Sequence, residues 1–187
     1  MNQTEELANE SRLVGAAISG DADAFADLFN RYYAMIHAFA YRLTLSAHDA
    51  DDIAQETFVS AARAIGGFRR EASFKNWLYQ IAANRQRDLF RQRQRRRDFN
   101  LPLTAGIEET HVAGGDGDIA DFSPLHAALA ALPDDWRHAL VLAYYENRNH
   151  AEATQILGCA EATVSWRIFR AKRQLKQRLH HAAKRHE

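Results

Sequence analysis

The sequence predicts an all-α protein of two small helical units, an N-terminal helical bundle and a C-terminal helix-turn-helix, joined by a flexible acidic linker. Three observations carry this. Apolar residues recur at helical spacing along most of the chain, as expected for helices with one buried face. No stretch alternates apolar and polar residues in the manner of a half-buried strand. Between residues 100 and 123, Pro102, Gly106, Gly114, Gly115 and Gly117 stand among Thr, Asp and Glu without a helical period, dividing the chain into residues 1–99, 100–123 and 124–187.

In chain order, Leu7–Ile18 reads as a short helix ended by Ser19-Gly20. Asp21 can cap the next helix by accepting from its free first-turn amides. There Phe25, Leu28, Phe29, Tyr32, Ile36, Phe39, Ala40 and Leu43 form a long apolar stripe. Ser46 caps a third helix, from about Ala47 to Ile65, with Ile53, Phe58, Ala61, Ala62 and Ile65 buried. Its acidic start suits the helix dipole and leaves Asp49, Asp52, Gln55 and Glu56 pointing outward. Gly66-Gly67 is expected to end it in the left-handed conformation open to glycine.

The loop Phe68–Ala72 follows, then a helix from Ser73 with Phe74, Trp77, Leu78, Ile81, Ala82 and Leu89 as its buried stripe. Lys75, Asn76, Tyr79, Gln80, Asn84, Arg85 and Arg87 lie between them on a face expected to be solvated. After Pro124, Leu125–Leu132 reads as a short helix. Pro133 starts another with Trp136, Leu140 and Tyr144 on one side. Asn149 caps His150–Leu157, Gly158 makes a tight turn, and a last helix runs from about Glu161 to Leu179 with Val164, Ile168, Ala171 and Leu175 inward.

The 187 residues carry a formal net charge of zero that conceals strong segregation. Residues 1–66 are −6, 67–99 are +7, 100–122 are −5 and 123–187 are +4. Two basic blocks separated by acidic ones can touch a polyanion at two places and a basic partner elsewhere. The first block combines a loop, aromatics, amides and guanidinium groups, which suits nucleic acid with exposed bases. In the second, the pair His150–Leu157 and Glu161–Leu179 has helix-turn-helix form. Its second helix offers Thr163, Ser165, Trp166, Arg167, Arg170 and Arg173 outward, residues suited to base edges and phosphates in a major groove.

Other chemistries find little support. The single Cys159 excludes an internal disulfide and a multi-cysteine zinc site. His180, His181 and His186 have no carboxylate or cysteine at ligand spacing. Gly66-Gly67 and Gly114-Gly115 lack the Lys-Ser/Thr of a phosphate loop. Asp51, Asp52 and Glu56 read better as a helix start or docking face than as a cation site. No catalytic residue, metal or cofactor is therefore expected. No apolar run is long enough to cross a bilayer, and the acidic N-terminus is unlike a signal peptide, so a cytoplasmic location without membrane insertion is expected.

Two segments together resemble the extracytoplasmic-function (ECF, group IV) sigma factors of bacterial RNA polymerase. Asp49-Ala50-Asp51-Asp52-Ile53-Ala54-Gln55-Glu56-Thr57-Phe58, followed by Phe68 through Asn84, looks like the family's region 2. Leu132-Pro133, then Arg137, Leu140 and Leu142, then Ile156-Leu157-Gly158, Ala162-Thr163-Val164 and Arg167 through Ala171, look like region 4. The resemblance implies a sigma factor whose partners are core RNA polymerase (the β′ clamp helices and the β subunit), promoter DNA and an anti-sigma factor.

By position it implies that Asp49, Asp52, Gln55 and Glu56 dock on the clamp helices. Phe68, Arg69, Arg70, Ser73 and Phe74 would capture a base flipped from the −10 element. Lys75, Asn76, Trp77, Gln80, Asn84, Arg85 and Arg87 would continue that surface. Thr163, Ser165, Trp166, Arg167, Arg170 and Arg173 would read the −35 element. The linker would follow the RNA exit path. Ser165-Trp166 stands where the family more often has Lys-Ser, and Ala153-Thr154 where it has a larger aliphatic followed by alanine. The alternative function is a stand-alone helix-turn-helix regulator with an N-terminal sensing or dimerising unit. A small metal-dependent enzyme using the acidic third helix is a third reading.

Overall fold

The computed structural model describes residues 3–99 and 123–183. The described residues form eight α-helices and no strand: α1 Gln3–Ile18, α2 Ala22–Thr44, α3 Ala47–Ala64, α4 Phe74–Phe99, α5 Ser123–Ala130, α6 Asp134–Tyr144, α7 His150–Leu157 and α8 Glu161–Ala183. The expected linker lies outside the described residues except for Ser123, which begins α5.

Capping side chains fix the starts of α2, α3, α4 and α7. The Asp21 carboxylate accepts from the Ala24 amide at 3.0 Å, and Ser46 Oγ accepts from the Asp49 amide at 3.3 Å. Ser73 Oγ accepts from the Asn76 amide at 3.1 Å as α4 begins. Asn149 and Glu152 form a reciprocal capping box on α7, each side chain satisfying the other's amide. Such caps contribute about 1 kcal/mol each.

One helix end differs from expectation. Gly66 and Gly67 keep ordinary φ because the chain continues from α3 into a 3₁₀ turn, Ile65–Gly67, closed by the Phe68 amide donating to the Ile65 carbonyl at 2.9 Å. Leu45, with a φ of 57°, ends α2 in the left-handed conformation.

Helices α1 to α4 enclose a core of Leu28, Ile36, Phe39, Leu43, Ile53, Phe58, Leu78 and Tyr79. The C-terminal helices bury Val141, Leu142, Ile156, Leu157, Val164 and Ile168, and these belong to the same continuous apolar cluster. The two units meet where α7 packs on α4 and α6 on α2. This packing corrects the expected solvated face of α4. Tyr79 is fully buried and Asn76 only 6% exposed, because the C-terminal unit lies over them. The Tyr79 hydroxyl donates to Glu146, which also accepts from Arg42 at 3.0 Å. Asn76 Nδ2 donates to Glu152 at 3.3 Å.

Candidate nucleic-acid interface

The structure distributes the candidate residues over three surfaces. The first is a groove of about 450 Å³ between α3 and α4, lined by Asp52, Gln55 and Glu56 together with Val59, Arg85, Asp88, Leu89 and Gln92. Helix α3 supplies the acids at one-turn spacing, and the exposed Val59 and half-buried Leu89 give the groove an apolar floor. Such a surface fits a basic, amphipathic helical partner.

Asp49 is not part of this groove, which corrects its expected outward placement. It is 6% exposed, and its two carboxylate oxygens accept from Arg93 Nη1 and Nη2 at 2.7 and 2.5 Å. The ion pair ties the start of α3 to the far part of α4. Arg85, expected on the DNA surface, lies in the groove and donates to Ser60 Oγ at 2.8 Å.

The second surface is a cleft of about 160 Å³ beside the loop. Phe68, Arg70, Ala72, Ser73 and Phe74 form one side, and Leu7, Glu10, Ser11 and Val14 of α1 form the other. An aromatic cluster packs the loop against the start of α4. Phe68 stacks on Trp77 with centroids 4.8 Å apart, and Phe74 meets Phe68 edge-on at 5.9 Å. Arg70 turns the chain with a φ of 58° and sends its guanidinium back to α1. A side chain at Gly15 would obstruct it, since an added Cβ would lie 2.9 Å from Arg70 Nη2. Arg69 is exposed beside the cleft.

The α1 wall was missed in the sequence. Its signal was present: residues 7, 10, 11 and 14 share one helical face.

Farther along α4 the expected surface divides. Lys75 lies 5.8 Å from the Tyr79 ring centroid, and burial, then the nearby Arg148, lower its pKa. Gln80 is half-buried and Asn84 exposed. Arg87 is half-buried near α6, where its charge bears on His138. The His138 imidazole is fully buried with neither ring nitrogen hydrogen-bonded. Burial first, then Arg137, Arg87 and Arg167, push its pKa down to about 3.

The third surface is the outer face of α8. The turn before it contains Gly158 at φ 64°, which favours glycine, and its amide donates to the Thr154 carbonyl at 2.9 Å. Val164, Ile168 and Ala171 point inward. Trp166 is 52% exposed and meets Trp136 edge-on at 5.6 Å. The Arg170 guanidinium lies 5.2 Å from the Trp136 ring and 5.7 Å from Trp166, so two rings steady an exposed cation. Arg173 is exposed.

The other α8 candidates are more constrained. Ser165 Oγ lies 3.0 Å from His150 Nδ1, and Thr163 is half-buried. Arg167 donates to Asp135 at 2.7 Å and lies 3.5 Å from the Cys159 sulfur. Cys159 is itself half-buried.

Among the described residues, no group of three or more His, Cys, Asp or Glu side chains could hold a metal ion, and no helix is long and apolar enough to cross a membrane.

Comparisons with known proteins place the chain in a family. Residues 28–96 match the model for sigma-70 region 2, and residues 123–175 that for sigma-70 region 4. The ECF RNA polymerase sigma factor SigM of Mycobacterium tuberculosis is 31% identical over 172 residues, spanning 91% of this chain and 85% of its own. CnrH, solved with the cytosolic domain of CnrY, superposes with a TM-score of 0.66 at 27% identity, covering 90% of this chain and 96% of that one. The sigma factor RpoE of Bartonella quintana, solved with the anti-sigma factor NepR, gives 0.65 at 27% identity, with 83% and 96% covered. The chain belongs to the sigma-70 family, among its ECF RNA polymerase sigma factors.

Proposed function

We propose that this protein binds core RNA polymerase and directs promoter-specific initiation. Asp52, Gln55 and Glu56, with the α4 side of their groove, dock on the β′ clamp helices. The cleft formed by Phe68, Arg70, Ser73 and Phe74 receives a base extruded from the −10 element, with Arg69 near the backbone. Unstacking costs a few kcal/mol per base, and aromatic walls with nearby cations offset it by holding the extruded strand. The outer face of α8 enters the major groove of the −35 element, with Arg170 and Arg173 on phosphates and the first turn near base edges. Residues 100–123 connect the units along the RNA exit path near the β subunit.

The polymerase performs the chemistry; the protein carries no catalytic site or cofactor of its own and works in the cytoplasm. An anti-sigma factor controls it, a reading supported by the two structural relatives solved with CnrY and NepR. Because the C-terminal unit covers Asn76 and Tyr79, the packed arrangement of the two units is not the one in which Asn76 meets DNA.

The observation supporting the proposal is the pair of family matches in order, over residues 28–96 and 123–175. The test adds purified protein to core polymerase and a library of promoter fragments. Initiation from a defined subset supports the proposal. Tight duplex binding without association with core would overturn it in favour of a stand-alone regulator.

A further inference from the structure

Trp166 stands at the middle of the outer face of α8. At about 100° per residue it lies roughly opposite Val164 and Ile168, which point inward. It is 52% exposed, yet its ring is braced. Trp136 meets it edge-on at 5.6 Å and is itself packed against the buried Leu132, Leu140 and Ala171. The Arg170 guanidinium lies over both rings. A ring fixed in this way loses little freedom when it docks.

The polar side chains around Trp166 are committed elsewhere. Ser165 Oγ lies 3.0 Å from His150 Nδ1, and Arg167 donates to Asp135 at 2.7 Å. Thr163 is half-buried. Arg170 and Arg173 come later along α8, where a docking helix meets phosphates, whereas Trp166 belongs to the N-terminal part that approaches base edges. Phe169 is also exposed but lies three residues farther from the helix start.

An indole offers one donor, Nε1–H, and otherwise apolar surface. In the major groove only thymine presents a methyl group, at C5; the other edge groups are hydrogen-bond donors and acceptors. Ring surface laid on a polar edge strips its water without replacing it, whereas ring surface laid on a methyl buries apolar area on both sides.

We infer that Trp166 reads the C5-methyl group of one thymine in the −35 duplex and so sets the base preferred there. The inference rests on the proposed reading of α8 as the helix that enters the −35 major groove. The expected effect is about fourfold in affinity, the worth of burying one methyl group.

The test uses full-length protein assembled with core polymerase. Duplex promoter fragments randomised through the −35 region are selected for binding. Each thymine of the enriched sequence is then replaced by uracil, which lacks only the C5-methyl group. Affinity is read by competition, and each variant's fold is checked by circular dichroism. At one position uracil should weaken wild-type binding about fourfold. Trp166→Ala should bind the thymine and uracil fragments equally there, and Phe169→Ala should keep the difference. A wild type indifferent to uracil at every position would overturn the role of Trp166. So would an undiminished difference in Trp166→Ala, the mark of a ring that only supports the fold, or its loss in folded Phe169→Ala. Failure to enrich any −35 sequence would refute the reading of α8 itself, and the inference with it.

Discussion

Removing Glu146 probes the junction between the two helical units. Its carboxylate is 8% exposed and accepts from Arg42 Nη1 at 3.0 Å and from the Tyr79 hydroxyl. In Glu146→Ala the Tyr79 hydroxyl, on a fully buried residue, loses its acceptor. An orphaned buried donor costs about 1–3 kcal/mol. Arg42 adds little, because its side chain is 37% exposed and also lies 5.2 Å from the Tyr145 ring. The expected loss is therefore about 2 kcal/mol.

Urea unfolding followed by circular dichroism measures this loss, and a double-mutant cycle isolates its source. Tyr79→Phe removes the donor, so Glu146→Ala should cost about 1 kcal/mol less in that background. A coupling energy near zero would refute the reasoning: Glu146 would then act through something other than this hydrogen bond.

Further outcomes follow from the other surfaces. Gln55→Ala with Glu56→Ala should weaken core association about tenfold or more, read by competition for labelled core, while leaving duplex affinity unchanged. Asp49→Ala should leave core association unchanged and cost about 1 kcal/mol of stability, since Arg93 is 49% exposed and the pair is partly screened. Arg170→Ala and Arg173→Ala should each lower the salt dependence of −35 duplex binding by about one phosphate contact, whereas Arg167→Ala, tied to Asp135, should change it less.

His138 gives a pH prediction. Its folded pKa, about 3, lies below the ordinary histidine value of 6.5, so the unfolded chain takes up the proton first. The stability associated with the neutral ring is present above 6.5 and is lost as pH falls from there towards 3, at up to about 1.4 kcal/mol per pH unit. His138→Leu should flatten the pH dependence of urea midpoints in that window.

Local chemistry made much of the fold legible. Leu28, Tyr32, Ile36, Phe39, Ala40 and Leu43 of the stripe lie on the buried face of α2 while Phe29 is exposed, and Asp21, Ser46 and Asn149 cap the helices they precede. Gly158 takes the left-handed turn that the helix-turn-helix requires.

The misreadings came from contacts distant in sequence. Tyr79 and Asn76 looked solvated because their partners, Glu146 and Glu152, lie some seventy positions later. Asp49 looked outward because Arg93, its partner, is 44 positions away. At the cleft, the loop was legible from its aromatics and cations, but the opposing wall required knowing that α1 folds back beside it. Gly66-Gly67 was read by residue type alone, whereas a 3₁₀ continuation left both with ordinary φ.

The most direct test of the central claim is permanganate footprinting of promoter DNA with core polymerase and this protein, separately and together. Permanganate oxidises unstacked thymines, so it reports strand opening around the −10 element. Reactivity should appear only when both proteins are present, and Ser11→Trp should reduce it without displacing the protein from core. Opening by core alone, or undiminished opening with the cleft filled, would contradict the account.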